Sequence, residues 1–403
     1  MRLFKNHVRR SCLFIVIVSS FFLCPACFNG STGTTAQAVG TSAQPASDSW
    51  ALLPFTKADS VNPVLEPGDH VFEDPIRKEK VAWEAKDVFN PAIVVKDDKV
   101  YMLYRAQDSV GKPAGTSRIG LAVSDDGYHF DRYPKPVLYP ENDTCKRYEW
   151  QGGCEDPRVV QDSAGVYYMT YTAYDGTTAR LFIATSTDLV HWKKYGSAFA
   201  GADHGKYLNK WTKSGSIVST YRDGKVIATQ INGKYWMYWG DQFIWAATSE
   251  DLIHWTPVKM APGETPPVTL RNQALTMTGL KIVVPTRKGM FDNDLVEPGP
   301  PAMLTSQGIL LIYNGRNTPV DGDTSLPSGT YSGGQVLFDK NDPTKILHRL
   351  DHYFIHPSKP YEISGQVNNV CFLEGLAMFH HRWLLYYGTA DTKIAVATHL
   401  IRQ

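Results

Sequence analysis

Cysteine is scarce in this chain: six in 403 residues, and only Cys145, Cys154 and Cys371 lie beyond residue 27. An odd number with no Cys-x-x-Cys among those three argues against a disulfide framework or a zinc site, although Cys145 and Cys154 could pair and close a short loop in an oxidising compartment. His191 and His204 stand in no ligand spacing, so no metal is expected. A charge excess is missing too, with 41 Lys+Arg against 40 Asp+Glu, which excludes the basic face of a nucleic-acid-binding protein. No nucleotide-binding loop and no Ser/His/Asp order occur, so no cofactor is expected. No long helical period runs through the chain, which leaves an all-β fold.

What is present begins at the N-terminus. Arg2, Lys5, Arg9 and Arg10 precede an uninterrupted run of apolar and hydroxylated residues from Leu13 to Leu23. The run is shorter than the about 20 residues a spanning helix needs and fits the apolar region of an export signal. Pro25-Ala26-Cys27 sets a small residue before a cysteine, the arrangement at which bacterial lipoproteins are cleaved and lipidated. Cys24 stands where such a signal normally has Leu, and ordinary signal-peptidase cleavage is the alternative. Residues 1–27 are therefore expected to export the chain to the periplasm or cell surface, with a lipid anchor on Cys27 as one outcome. Without its four basic residues, 37 of the 41 Lys+Arg remain against 40 Asp+Glu, a formal charge of −3. Residues 28–48 are Gly, Ser, Thr, Ala and Gln with almost nothing large to bury, and are expected to be a flexible tether. The folded domain is expected over residues 49–403, long for one ordinary core but suited to a repeat architecture.

Repetition then sets the architecture. Aromatic-rich strand patterns recur at Lys99–Arg105, Gly165–Tyr171, Gly233–Trp239, Gly308–Tyr313 and His381–Tyr387; their markers Tyr104, Tyr171, Tyr238, Tyr313 and Tyr387 are 67, 67, 75 and 74 residues apart. Three of them are followed by Ser-x-Asp-x-x-His-aromatic, at Ser124–Phe130, Ser186–Trp192 and Ser249–Trp255. In such a turn the Asp can accept from nearby backbone amides while the aromatic starts the next strand. Five repeats of about 70 residues predict a five-bladed β-propeller of four-stranded blades.

In a propeller, the inner strands bring polar residues to the mouth of the central channel, so a carboxylate in a glycine-rich inner strand is a candidate. In Gly152-Gly153-Cys154-Glu155-Asp156-Pro157-Arg158 the glycines permit close backbone approach and Pro157 fixes the exit direction after Asp156. A turn carboxylate paired with Arg158 is the structural alternative. Together with Phe89-Asn90-Pro91, Tyr104-Arg105 and Tyr386-Tyr387-Gly388-Thr389-Ala390-Asp391, in order along the folded chain, this segment resembles glycoside hydrolase family 130. The resemblance implies a five-bladed propeller that cleaves β-mannosides with inversion, as a phosphorylase or a hydrolase. It further implies Asp156 as the proton donor, acting through a mannose hydroxyl, and Asn90, Arg105 and Asp391 as holders of the mannosyl unit in the −1 subsite; Arg158 is expected to bind substrate as well. Cleavage needs a proton on the leaving oxygen and charge support for an oxocarbenium-like sugar, which these residue types supply. On the residues alone, Asn90 reads equally as a turn residue before Pro91, and Arg105 as an ion-pair partner between blades.

The nucleophile separates the two activities. A phosphorylase needs a cationic pocket for phosphate, and its relatives carry a Leu-His-Arg-Pro-like strand end where this chain reads Tyr238-Trp239-Gly240-Asp241. Lys213 and Tyr331 resemble retained parts of a phosphate site. A hydrolase needs a carboxylate to activate water, about 6.5–9.5 Å from the acid in an inverting enzyme. Glu297, set among prolines and a glycine in Val296-Glu297-Pro298-Gly299-Pro300-Pro301, is the preferred base, and Asp241 the second. The expected activity is therefore an exo-acting, inverting hydrolase of β-1,2- or β-1,4-linked manno-oligosaccharides or mannosylated glycans, with a mannoside phosphorylase as the alternative. A propeller that binds glycans without cutting them would have lost the acid, and a family 43 propeller would place an Asp where Asn90-Pro91 stands. Glu374 is expected to satisfy backbone amides. Loops 203–209, 261–276 and 318–332 are expected to shape the leaving-group side.

Overall fold

The computed structural model describes residues 48–110 and 115–401, so the expected signal and all but the last residue of the expected tether lie outside the described residues. The described chain is almost entirely β. Four-stranded antiparallel meanders follow one another: Asp87–Lys96, Lys99–Gln107, Ser117–Ser124 and Asp131–Arg132; then Gly153–Gln161, Tyr167–Tyr174, Ala179–Ser186 and Lys193–Ser197. A third runs Ser216–Ile217, Lys234–Trp239, Ile244–Ser249 and Trp255–Pro257, and a fourth Leu295–Pro298, Ile309–Arg316, Tyr331–Phe338 and Ile346–Arg349. The fifth has Cys371–Phe379, Arg382–Thr389 and Lys393–Leu400 and takes its fourth strand from the start of the domain, where Thr56 of Thr56–Lys57 lies opposite Thr398. Short parallel pairings join neighbours, such as Ser117 opposite Gly153 and Ser219 opposite Met303.

Local chemistry explains the hairpins. Asp97-Asp98, Asn232-Gly233 and His380-His381 all have positive φ and each connects strands through two residues, as a primed turn requires to match strand twist. In the Ser-x-Asp-x-x-His turns, Asp126, Asp188 and Asp251 each accept from two backbone amides and pair with His129, His191 and His254 at 2.7 Å.

A second repeat lies inside the core. The marker hydroxyls of Tyr104, Tyr171, Tyr313 and Tyr387 donate to the buried carboxylates of Glu84, Glu149, Asp292 and Glu362 at 2.7–2.9 Å. Each carboxylate pairs with a cation on the fourth strand of its own meander: Arg132, Lys194, Arg349 and Lys57, at 2.6–2.8 Å. Only the third meander departs, Tyr238 donating to the Pro343 carbonyl. A tyrosine alone could leave its ring buried and its hydroxyl unsatisfied; the carboxylate satisfies the hydroxyl and the cation neutralises the carboxylate.

The possible Cys145–Cys154 bridge is not formed: both are free thiols. Both pack in one apolar cluster near Glu149, and burial together with that carboxylate pushes the Cys145 thiol up to about 11 and raises Cys154 well above the usual thiol range. Buried, protonated thiols pack as small apolar groups.

Candidate active site

The first strands of three meanders share one device. Pairing slips by a residue at Asn90, between Phe89 and Pro91; at Asp156-Pro157, between Glu155 and Arg158; and at Glu374, between Leu373 and Gly375. Asn90 and Asp156 both sit at φ +48°, a conformation Asn and Asp tolerate best among residues with a side chain. The bulge re-aims the side chain, and proline, which cannot donate to the ladder, fits there at little cost. Glu297 likewise precedes Pro298 on its strand.

A cavity of about 460 Å³ is lined by Asn90, Arg105, Asp156, Lys213, Glu297, Tyr331 and Asp391, all named from the sequence, and by Arg316, Ser328, Gly329, Val367, Asn368, Val370 and Phe372. Asp156 is 2 % exposed. Its Oδ1 accepts from Asn90 Nδ2 at 2.9 Å and Arg105 Nη1 at 3.0 Å, and its Oδ2 lies 3.3 Å from Lys213 Nζ. Arg105 is braced by Glu155 at 2.7 Å and Ser117 at 3.0 Å, with its guanidinium 4.6 Å from the Phe89 ring centre. Asn90 Oδ1 has no hydrogen-bond partner among the described residues. Only glycine fits at 388, since a Cβ there would stand 2.4 Å from that oxygen.

Glu297 accepts from Ser214 Oγ and lies 3.3 Å from Lys213 Nζ. One ammonium group thus bridges both carboxylates, so the two oxygens it faces are no more than twice 3.3 Å, about 6.6 Å, apart. Burial opposes charge on every carboxyl here, and the balance differs among them. For Asp156 the cations Arg105 and Lys213 and the Asn90 hydrogen bond outweigh burial and hold it well below the usual carboxylate range. For Glu297 burial, with Asp241 nearby, outweighs Lys213 and raises the carboxyl. Burial likewise pushes Asp391 up to about 7 against Arg105. Burial disfavours the charge on Lys213, yet Glu297 and Asp156 hold its pKa well above the usual lysine range.

Two named residues stand elsewhere. Asp241 does not line the cavity; its Oδ2 accepts from Trp211 Nε1 at 2.7 Å. Arg158 is buried beneath it and spends its donors on backbone carbonyls. Glu374 does not satisfy backbone amides as the sequence suggests: neither of its oxygens has a hydrogen-bond partner among the described residues. Of the three long loops, 318–332 contributes Ser328, Gly329 and Tyr331, whereas 203–209 and 261–276 contribute no lining residue. Two residues were missed. Arg316, paired with Asp294 at 2.5 Å, ends its strand three residues beyond the marker Tyr313, whereas Arg105 directly follows Tyr104, so the repeat does not mark it. Glu155 stands beside Asp156 in the sequence, but its pairing with Arg105, 50 residues away, is not marked there.

The chain is similar to known proteins over most of its length. The glycoside hydrolase family 130 model, described as beta-1,4-mannooligosaccharide phosphorylase, matches residues 56–403. A 1,2-beta-oligomannan phosphorylase of Thermoanaerobacter sp. (strain X514) is 31 % identical over 325 residues, 78 % of this chain and 90 % of the relative. A solved glycosyl hydrolase from Bacteroides ovatus is 44 % identical with a TM-score of 0.81, covering 88 % of this chain and 96 % of that one. Another structure, described by the statement that the family of mannoside phosphorylases contains glycoside hydrolases that target β-1,2 mannosidic linkages in Candida mannan, is 44 % identical with a TM-score of 0.82 over 88 % of this chain and 96 % of that one. Motifs, cavity and relatives lead to one assignment: the chain belongs to glycoside hydrolase family 130.

Proposed function

We propose that this protein is an exported, inverting, exo-acting β-mannoside hydrolase, built as a five-bladed propeller over residues 49–403 behind a signal at 1–27 and a tether at 28–48. The five antiparallel meanders, the last completed by Thr56–Lys57, support the propeller reading. The export signal and a lipid anchor at Cys27 rest on the sequence pattern. β-1,2-linked mannosides are the preferred substrates, because the structural relative at 44 % identity is described with that linkage.

The observation that carries the hydrolase reading is charge pairing in the cavity. Every cation lining it already faces a carboxylate: Arg105 with Glu155 and Asp156, Lys213 with Asp156 and Glu297, Arg316 with Asp294. A phosphate dianion would have to displace one of these pairs, whereas water needs only Glu297. Glu297 takes a proton from water as the water oxygen bonds to the anomeric carbon. The bond from that carbon to the leaving oxygen breaks, and the leaving oxygen receives its proton from Asp156 through a mannose hydroxyl. In the empty site Asp156 is ionised, so a proton enters with the sugar, whose arrival excludes water from an already buried carboxyl. Asp241, held by Trp211 outside the cavity, is the lesser candidate for base and supports the charge on Lys213.

A phosphorylase remains the second reading, favoured by the curated relatives and by Lys213, Arg316 and Tyr331 lining one cavity. Azide separates the two. Glu297→Gln should be inactive towards water and regain turnover with azide, giving an α-mannosyl azide; wild-type turnover in that variant would refute the base assignment.

A further inference from the structure

Arg158 is 2 % exposed and does not reach the cavity. Its Nη2 donates to the Pro298 carbonyl and its Nε to the Gly299 carbonyl, both at 2.7 Å, and these are the two carbonyls that directly follow Glu297. Its Nη1 faces the Asp156 carbonyl at 3.4 Å and Glu374 Oε1 at 3.5 Å. One guanidinium therefore touches the strand of the acid, the strand of the base and the strand Cys371–Phe379. Glu374 is fully buried at the bulge in that third strand, and neither of its oxygens accepts a hydrogen bond from any described residue. A buried carboxyl without hydrogen bonds and a buried guanidinium both cost stability compared with apolar side chains of the same volume. Folding alone does not account for keeping them there.

We propose that Arg158, oriented by Glu374, is a positioning residue that sets the separation between Asp156 and Glu297; the proposal rests on the acid and base assignment above. Arginine suits the task because its planar fork donates to two successive carbonyls while a third nitrogen meets another strand. Lysine would bring a point charge and could not hold both carbonyls in one plane. A shift of about 1 Å between reacting groups is enough to lose about 100-fold in rate.

Arg158→Lys, Arg158→Met and Glu374→Gln would be compared with wild type on β-1,2-mannobiose, in phosphate-containing buffer so that either nucleophile is available. Mannose affinity by calorimetry and unfolding by circular dichroism report whether the site is formed. Both Arg158 variants should lose about 100-fold in kcat with KM and mannose affinity little changed, and Glu374→Gln should lose less. Glu297 faces Lys213, Asp241, Arg158, Glu374, Tyr331 and Asp391. Removing the Arg158 charge raises its pKa, so the acidic limb of kcat should move to higher pH in Arg158→Met and stay in Arg158→Lys. Should Arg158→Met fail to fold, the other two variants decide. Unchanged kcat, a loss confined to KM, or loss of mannose binding in all folded variants would overturn the proposal, as would failure of all three to fold. Glu297→Gln, assayed alongside, separates the two claims. If it keeps wild-type kcat, the base assignment fails; if it is inactive while Arg158→Lys is unaffected, only the positioning role fails.

Discussion

Replacing Lys213 by Met removes an ammonium group that touches both proposed catalytic carboxylates, and its consequence can be worked out from distance. Lys213 Nζ lies 3.3 Å from Asp156 and 3.3 Å from Glu297, with its side chain 18 % exposed. At that separation and an effective dielectric of about 20, Coulomb's law gives about 5 kcal/mol per pair before relaxation. Cations this close lower carboxyl pKa values by about 1–3 units once relaxation is included. Glu297 is already raised by burial, and Lys213 is the largest influence holding it down. Without the ammonium its pKa should rise by about 1–3 units. The base must be ionised to accept a proton from water, so the acidic limb of the pH–rate profile should move to higher pH by the same amount. Asp156 loses an opposing charge as well, so the acid is more easily protonated and activity at high pH should be kept. The whole profile should therefore travel upward, which initial rates on mannobiose across the neutral range would display. An acidic limb that stays in place refutes the reasoning. If the only change were a raised KM for phosphate, Lys213 would be a phosphate ligand and the hydrolase reading would fall with it.

Asp156→Asn should lower turnover of mannobiose by about 100-fold to 10,000-fold, the usual range for removing a general acid; wild-type rates would remove the acid assignment. Asp391 is held at about 7, so the kcat/KM profile of the free enzyme should contain an ionisation near neutrality that disappears in Asp391→Asn. Lys57→Met leaves Glu362 buried without its cation and should destabilise the fold by about 3–5 kcal/mol, read as a lower urea midpoint. An unchanged midpoint would mean that Thr56–Lys57 contributes little to closing the fifth meander.

Much of this was legible in the sequence because it was local. The five marker tyrosines and the three Ser-x-Asp-x-x-His turns recur at near-constant spacing, and each turn satisfies itself within four residues. Asn90, Asp156 and Glu297 each precede a proline in a strand, a pattern that stands out without coordinates. Partners remote along the chain did not show. The tyrosine–carboxylate–cation units combine Glu or Asp with Arg or Lys drawn from distant segments, Lys57 reaching Glu362 across 305 positions, so no fixed motif marks them. That Asp241 turns to Trp211 and does not line the cavity, and that Arg158 turns away from it after the bulge at Glu155, are likewise not visible in the sequence. Sequence places such residues near a site; it does not say which way they point.

The central claim is that water attacks the mannoside in this cavity. It is tested most directly by incubating the purified protein with β-1,2-mannobiose in buffer with and without phosphate, following products by proton NMR from the first turnovers. Turnover without phosphate, mannose as the product in both buffers, and the α-anomer released first are the expected results. Turnover that requires phosphate and yields mannose 1-phosphate would contradict it.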